Sequence, residues 1–112
     1  MAYNDGYKGH KDNVKVWVIF TMTGTTILDS YNVSSVTDQG TGHCRINYAT
    51  ALASADYACF GSCDPRSGST INYSHGAAAD SASYGSFYRE NADGTAHDAG
   101  GSVGAHFLAI GR

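Results

Sequence analysis

Apolar and polar residues alternate along much of this chain with the two-residue period of β-strands. No segment carries apolar residues at the 3.6-residue spacing of a helix over two turns. The alternation predicts seven strands and leaves open whether the second one continues through 34–37 after a bend. The predicted strands are residues 14–20, 26–33, 43–48, 56–62, 69–74, 83–89 and 103–110.

The first predicted strand is apolar on both faces. One face carries Val16 and Val18, and the other carries Trp17 and Ile19. We therefore expect this strand to be central in its sheet or covered on both sides. The strand at 43–48 has the more usual pattern, in which only every second residue is apolar and faces inward.

Glycine and other turn-forming residues separate the strands at intervals of 8–12 residues, and the turn at 38–42 contains two glycines. Short strands at this spacing predict an all-β fold, namely a small antiparallel β-sandwich, jelly-roll-like, of seven or eight strands. Segments 75–82 and 90–102 are predicted loops. We interpret residues 1–13 as an N-terminal arm or leader and 14–112 as a single β-sandwich domain.

The composition favours contact between copies of the chain. The 112 residues suffice for one domain, and a chain of this size buries roughly 65 % of its unfolded surface. Only 15 % of the residues are charged, whereas 14 are glycine and 8 are tyrosine. A surface poor in charge suits side-by-side assembly, and a homo-oligomer is therefore expected.

The charge pattern excludes several classes of partner. The net charge is −3 and the seven lysine and arginine residues are scattered, so no basic stripe for nucleic acid or anionic membrane is present. The longest apolar run is too short to span a bilayer, and the N-terminus does not resemble a signal peptide. We expect synthesis in a reducing cytoplasm, where Cys44, Cys59 and Cys63 are thiols by default, and a Cys59–Cys63 or Cys44–Cys59 disulfide formed after lysis is the alternative.

Three strings of residues carry a family resemblance: Lys15–Phe20, Asp29–Gly42 and Arg45–Tyr48. Together they resemble a β-rich module of bacteriophage tail fibres and related virion proteins. The resemblance covers residues 14–62 and, more loosely, 103–111. The string from Asn32 to Gly42 is its most specific part, and it characterises a fold rather than a chemistry.

The resemblance implies a non-enzymatic structural protein of a phage particle. Modules of this kind are commonly trimers, contact other virion proteins and bind a host cell-surface glycan or protein. The expected location is the virion, after synthesis in the host cytoplasm. Because the module occupies nearly the whole chain, a short tail-fibre, tail-tip or head appendage is expected rather than a long fibre. A capsid decoration protein is a further alternative.

No catalytic or metal-binding motif competes with that interpretation. Ser74, His75 and Asp80 are the residue types of a catalytic triad. No Gly-x-Ser-x-Gly elbow accompanies them, so a small hydrolase is disfavoured. Alternation places His43 and Cys44 on opposite faces of one strand, which disfavours a shared zinc ion. No cofactor or metal is predicted.

A group of aromatic and polar residues in the region without resemblance is the candidate binding surface. Aromatic rings with polar rims bind sugars and proteins, so a lectin-like carbohydrate-binding module is the alternative function. The competing explanation is that alternate members simply fill the core. The candidate residues are Tyr73, His75, Tyr84, Tyr88 and Asn91.

Overall fold

The computed structural model describes residues 13–63, 73–91 and 104–111, which form eight antiparallel β-strands. Sheet A has the strand order β2-β1-β8-β5, and sheet B has the order β3-β4-β7-β6. Two four-stranded antiparallel sheets packed together confirm the all-β prediction and are compatible with a small β-sandwich. The strands are β1 (Asn13–Thr21), β2 (Ile27–Tyr31), β3 (Val33–Asp38), β4 (His43–Tyr48), β5 (Ala58–Cys63), β6 (Tyr73–Ala78), β7 (Tyr84–Asn91) and β8 (Gly104–Gly111).

The core lies between the two sheets and is built by the predicted alternation. Cys44 and Ile46 of β4 point inward, as expected. Across the core the rings of Phe20 and Phe87 pack edge-to-face, with their centroids 5.6 Å apart. Burial of these side chains is the main stabilising contribution. The buried apolar residues are Val16, Val18, Phe20, Met22, Val36, Cys44, Ile46, Tyr48, Phe87, Ala105, Phe107 and Ala109.

The predicted second strand is wrong as a single element, because the chain turns a corner at Asn32 and changes sheets. Asn32 adopts a left-handed conformation with φ of 59°. Its Nδ2 donates to the Lys15 carbonyl (3.2 Å) and the Thr50 carbonyl (3.0 Å), and its Oδ1 accepts from the Thr50 amide (2.7 Å). One side chain thus joins β1, the corner between β2 and β3, and the segment after β4.

The prediction of a loop from residue 75 is also wrong, since β6 runs to Ala78 and pairs with β7. Small residues without clear alternation gave no strand signal there, and the backbone bonds to β7 supply the structure instead. The start of the predicted strand at 69–74 lies outside the described residues. So do most of the predicted loop 90–102 and of the arm 1–13, although Asn13 opens β1 and Asn91 closes β7.

The sheets approach each other closely where their edge strands β5 and β6 meet. A Cβ atom on Gly61 would lie 2.7 Å from Phe87 Cδ1 and 2.9 Å from the Gly76 carbonyl oxygen. Gly76 itself has no atom within 4 Å of such a position. The absence of a side chain at Gly61 is therefore what lets the sandwich close on this side.

We predict that Gly61→Ala destabilises the protein, because the added methyl group meets both a core ring and backbone. Overpacking of this kind costs about 1–3 kcal/mol. Gly76→Ala is the matched control, and its effect should be neutral or stabilising by up to about 1 kcal/mol. The free energy of unfolding in urea measures both, and equal values for the two variants would contradict the close approach.

We predict that Asn32→Gly destabilises the protein by about 2–3 kcal/mol, because three hydrogen bonds at about 1 kcal/mol each are lost. Asn32→Ala should cost about 1–2 kcal/mol more, because alanine must also adopt the left-handed conformation. Denaturant unfolding of both variants separates the two contributions. An alanine variant as stable as the glycine variant would show that the corner relaxes to another backbone conformation.

Candidate functional site

The outer face of sheet B combines aromatic rings with polar groups. Strand β4 sends His43, Arg45 and Asn47 to this face, and the register pairs His43 with Tyr88 and Asn47 with Tyr84 of β7. The inward alternation of Cys44 and Ile46 fixes that orientation. We call the surface formed by His43, Arg45, Asn47, Tyr84 and Tyr88 the polar-aromatic face.

At one end of this face the Tyr88 ring stacks on the His43 ring, with centroids 4.4 Å apart and an interplanar angle of 20°. On its other side Tyr88 pairs with Gly76 of β6, which has no side chain to cover the ring. Tyr88 is 38 % exposed. The ring is therefore held in a fixed orientation and is accessible beside a shallow gap.

At the centre of the face the Arg45 guanidinium lies over the Tyr84 ring, with Cζ 4.2 Å from the centroid. Arg45 Nε is buried there and has no hydrogen-bond partner. The stacking fixes a positive charge on the surface of the sheet. A planar, oriented guanidinium is suited to recognise hydroxyl or carboxylate oxygens of a ligand.

Asn47 completes the face with polar groups that are already oriented. Its Nδ2 donates to Ser35 Oγ (3.0 Å) and to Thr37 Oγ1 (2.8 Å) on the neighbouring strand β3. Each hydroxyl still has a hydrogen of its own to donate. The arrangement can bind a polar, extended ligand across the strands, and it places no nucleophile beside a general base.

The structure brings together only part of the predicted binding group. Tyr84 and Tyr88 share the polar-aromatic face, as the alternation predicted. His75 belongs to the opposite, inner face, since it pairs with the buried Arg89. The side chains of Tyr73 and Asn91 lie outside the described residues. The alternation places Arg45 on the outer face of its strand. It does not assign Arg45 to the site, because the local pattern does not reveal that β4 pairs with β7.

His75 lies within the sandwich near the β5–β6 edge, where its ring stacks on Phe87 with centroids 6.2 Å apart. Its Nε2 is buried and has no hydrogen-bond partner. The pKa of His75 is lowered, first by burial and then by the positive charges of Arg89 and His106. The fold therefore favours the neutral form of His75. Its role is to pack against Phe87.

A second polar group joins loops rather than forming a site. Tyr48 Oη and Tyr57 Oη lie 2.7 Å apart, and Tyr57 Oη also contacts the carbonyls of Ser81 (2.9 Å) and Tyr84 (3.1 Å). Burial, more than the hydrogen bond to Tyr57, raises the pKa of Tyr48. These phenols stay protonated and hold the segments that follow β4 and β6.

The remaining candidates for catalysis or metal binding, namely Asp80 and the three cysteines, lie in surroundings that suit packing and hydrogen bonding rather than catalysis. The Asp80 carboxylate accepts a hydrogen bond from Ser86 Oγ. The three cysteines are thiols and form no disulfide. Burial, followed by the Asp80 charge, raises the pKa of the Cys59 thiol. A protonated thiol is a poor nucleophile. Among the described residues, no three His, Cys, Asp or Glu side chains lie together in a metal-binding arrangement.

Comparison with known proteins adds no family to this geometry. No protein-family model matches the chain, and no curated protein or solved structure is significantly similar to it.

Within the described parts of the chain, no helix is long and apolar enough to cross a membrane.

We predict that His75 makes the fold less stable in mild acid. Because its pKa is lower in the folded than in the unfolded protein, the unfolded state binds the proton more readily. The free energy of unfolding should therefore fall as the pH drops through the ordinary histidine value of about 6.5 and level off below the folded-state pKa. Thermal unfolding of His75→Gln should show a smaller loss over this range.

The outer-face variant His43→Gln controls for removal of a histidine ring as such. A His75→Gln protein that loses as much stability in acid as the unmodified chain would contradict the assignment.

Proposed function

We propose that this chain is a non-enzymatic structural protein of a bacteriophage particle that assembles as a homotrimer through the outer face of sheet A. The observation that carries the proposal is a row of large apolar side chains across that sheet. The resemblance of residues 14–62 to tail-fibre modules supports the viral context. The proposed partners are copies of the chain and other virion proteins.

The row crosses all four strands of sheet A. Tyr31 of β2 pairs with Trp17 of β1, Trp17 pairs with Leu108 of β8, and Leu108 pairs with Phe60 of β5. Phe60 is 60 % exposed and Tyr31 is 56 % exposed. The two ends of the row are therefore open to solvent, while Trp17 and Leu108 between them are partly buried.

Neighbouring positions widen the row into an apolar surface. Val14 pairs with Ile110 on one side of it, and Ile19 lies on the other side, opposite His106. Val14 is 42 % exposed although it belongs to a central strand. We define the apolar face as the outer-face residues Val14, Trp17, Ile19, Tyr31, Phe60, Leu108 and Ile110.

The size of the apolar face fits contact with a second copy. Four strands about 4.8 Å apart and six residues at about 3.4 Å give a footprint of roughly 20 by 20 Å. Two such surfaces, each roughened by projecting side chains, approach the roughly 1,000 Å² of a stable interface. The centre of the face, formed by Trp17, Leu108 and Phe60, carries no charge, whereas Asp29 lies opposite Ile19 at one side of it.

The apolar faces of several copies can meet in two ways. Two apolar faces in direct contact form a two-fold dimer, whereas three faces arranged around one axis form a closed trimer. In the trimer the three polar-aromatic faces lie on the outer surface of the assembly. We favour the trimer because the resembling fibre modules commonly have that symmetry. The proposed jelly-roll-like relation is supported by the pairing of β1 with β8 and of β4 with β7. It extends to these two pairs alone, because β1 and β2 lie in one sheet here and in different sheets of a jelly roll.

A second candidate function is host-surface glycan binding by the polar-aromatic face. The observation that favours it is the accessible Tyr88 ring, held by His43 and bordered by Gly76. Sugar rings stack on such a platform while their hydroxyl groups bind a polar rim. Arg45 and the hydroxyls of Ser35 and Thr37 supply that rim.

We predict that the purified protein has a mass about three times its 11.8 kDa chain mass. Leu108→Glu should produce monomers, since it places a charge at the centre of the apolar face. Light scattering after size-exclusion chromatography measures the mass, and the circular dichroism spectrum reports whether the fold is kept. Tyr88→Glu, with the same added charge on sheet B, is the control and should stay oligomeric.

A monomer of the unmodified chain at micromolar concentration would overturn the proposed assembly. A dimer would retain the contact between apolar faces and refute three-fold symmetry.

We predict that Tyr88→Ala weakens glycan binding at least about fivefold, since stacking on an aromatic ring contributes about 1 kcal/mol or more. Tyr88→Phe keeps the ring and should retain most of the affinity. A glycan array identifies the sugars, and isothermal titration calorimetry compares the variants. Binding that is equal in the alanine and phenylalanine variants would exclude the polar-aromatic face as the site.

A further inference from the structure

The outer surface of β6 forms a shallow trough beside Tyr88. Small residues make its floor, because Gly76 pairs with Tyr88 and Ala78 pairs with Ser86 of β7. Ala77 between them packs against the core, so its two neighbours face outward. A Cβ atom on Gly76 would meet nothing within 4 Å. We call this open space, bordered by the accessible Tyr88 ring, the β6 trough.

The Asp80 carboxylate lies at one end of the β6 trough. It accepts a hydrogen bond from Ser86 Oγ, and Ser86 precedes Tyr88 by two residues on the same face of β7. Alternate residues of a strand are about 7 Å apart, a distance that one sugar ring with its hydroxyl groups can bridge. Asp80 is exposed, and the bond from Ser86 uses only its Oδ2. The carboxylate can therefore accept hydroxyl groups of a ligand that stacks on Tyr88.

The turn that follows Asp80 is held by hydrogen bonds from inside and outside. Within the turn, Ser81 Oγ accepts a hydrogen bond from the Ser83 amide at 3.0 Å. From outside, the Leu52 amide donates to the Ala82 carbonyl at 2.8 Å. Asp80 thus adjoins a fixed segment, and little conformational entropy is lost when its carboxylate binds a ligand.

The charges around Tyr88 favour an uncharged ligand that donates hydroxyl groups. Asp80 lies to one side of the ring, and Glu90 follows Tyr88 by two residues on the same strand face. The positive charge of Arg45 lies over Tyr84, which is about 13 Å along the strand from Tyr88. A carboxylate accepts hydrogen bonds from hydroxyl groups and repels an anion.

We propose that the β6 trough binds one neutral hexopyranose unit of a glycan, with two adjacent hydroxyl groups on the Asp80 carboxylate. The sugar packs on the side of the Tyr88 ring toward Gly76, since His43 covers the other side. Asp80 is the residue that selects neutral over acidic sugars. The inference rests on the proposed glycan binding by the polar-aromatic face, and it adds the ligand class and a specificity residue.

The test is an NMR titration of the isotopically labelled full chain with the methyl glycosides of glucose, galactose and mannose. The methyl glycosides of the three matching uronates, which differ from them by one carboxylate, are titrated in parallel. At least one neutral sugar should shift the amide signals of Gly76, Ala78, Asp80 and Tyr88. Its uronate should bind about threefold more weakly, which is the size of an exposed charge interaction.

A charge variant tests the role of Asp80. Asp80→Asn keeps an acceptor for Ser86 and removes the charge. It should weaken the neutral sugar about fivefold, because hydrogen bonds to a charged group become neutral ones. It should also abolish the preference over the uronate, which a merely structural role would leave unchanged. Asp29→Asn makes the same change on the outer face of sheet A and is the matched control, with no effect expected.

A second variant tests the position of the sugar. Gly76→Val should abolish binding, because its side chain occupies the β6 trough. The free energy of unfolding should not decrease, because a Cβ atom has room at this position. If Gly76→Val fails to fold, the comparison of neutral sugars with uronates in Asp80→Asn still decides.

Tighter binding of a uronate than of its neutral counterpart would overturn the proposal, as would an unchanged affinity in Asp80→Asn. Shifts confined to residues outside the β6 trough, or no shifts with any of the three neutral sugars, would also overturn it. Failure of the proposed glycan site is read separately from Tyr88→Ala. A loss of binding in Tyr88→Ala without an effect of Asp80→Asn keeps the site and rejects selection by Asp80.

Discussion

The fold depends on how the chain leaves one sheet and enters the other while keeping its backbone groups bonded. Asn32 meets this constraint at the first crossing. Its left-handed backbone turns the chain, and its amide group bonds the carbonyls of Lys15 and Thr50. These two carbonyls belong to segments that are distant in the sequence and come from opposite sides of the sandwich. The conformation and the side-chain hydrogen bonds of this one residue thus tie the two sheets together at the corner.

Both sheets turn alternate apolar residues toward the core, but their outer faces differ in composition. Sheet A carries the apolar face, centred on Trp17 and Leu108. Sheet B carries rings that are each engaged by a neighbour, as Tyr88 is by His43. A small sandwich that buries only its inner faces has a modest core. Contact between copies through sheet A adds burial there and leaves sheet B free to bind other molecules.

The alternation of the sequence was sufficient to predict the inward face of the strand at 43–48, because a strand repeats every two residues irrespective of its neighbours. The inward positions of Cys44, Ile46 and Tyr48 were predicted correctly for this reason. The corner at Asn32 was missed because the apolar residues on both sides of it continue a strand pattern. Strand β6 was missed because its small residues carry no periodic signal and its stability comes from pairing with β7.

The candidate site was only partly predictable for a related reason. Tyr84 and Tyr88 lie on one strand, so their shared face could be derived from spacing alone. Their contacts with Arg45 and His43 depend on the pairing of β4 with β7, which the local pattern does not specify. His75 was assigned to the surface because its strand was taken for a loop.

The glycine at position 61 has a consequence for how copies of this protein can join. Because Gly61 brings the inner face of β5 against Phe87 and the Gly76 carbonyl, the edge strands of the two sheets are held together at this point. Two edge strands held so close leave less room for a foreign strand to add beside β5, which opposes the runaway edge-to-edge growth of amyloid. Association at this side is thereby directed to side-chain surfaces, where subunits can dissociate without the breaking of backbone hydrogen bonds.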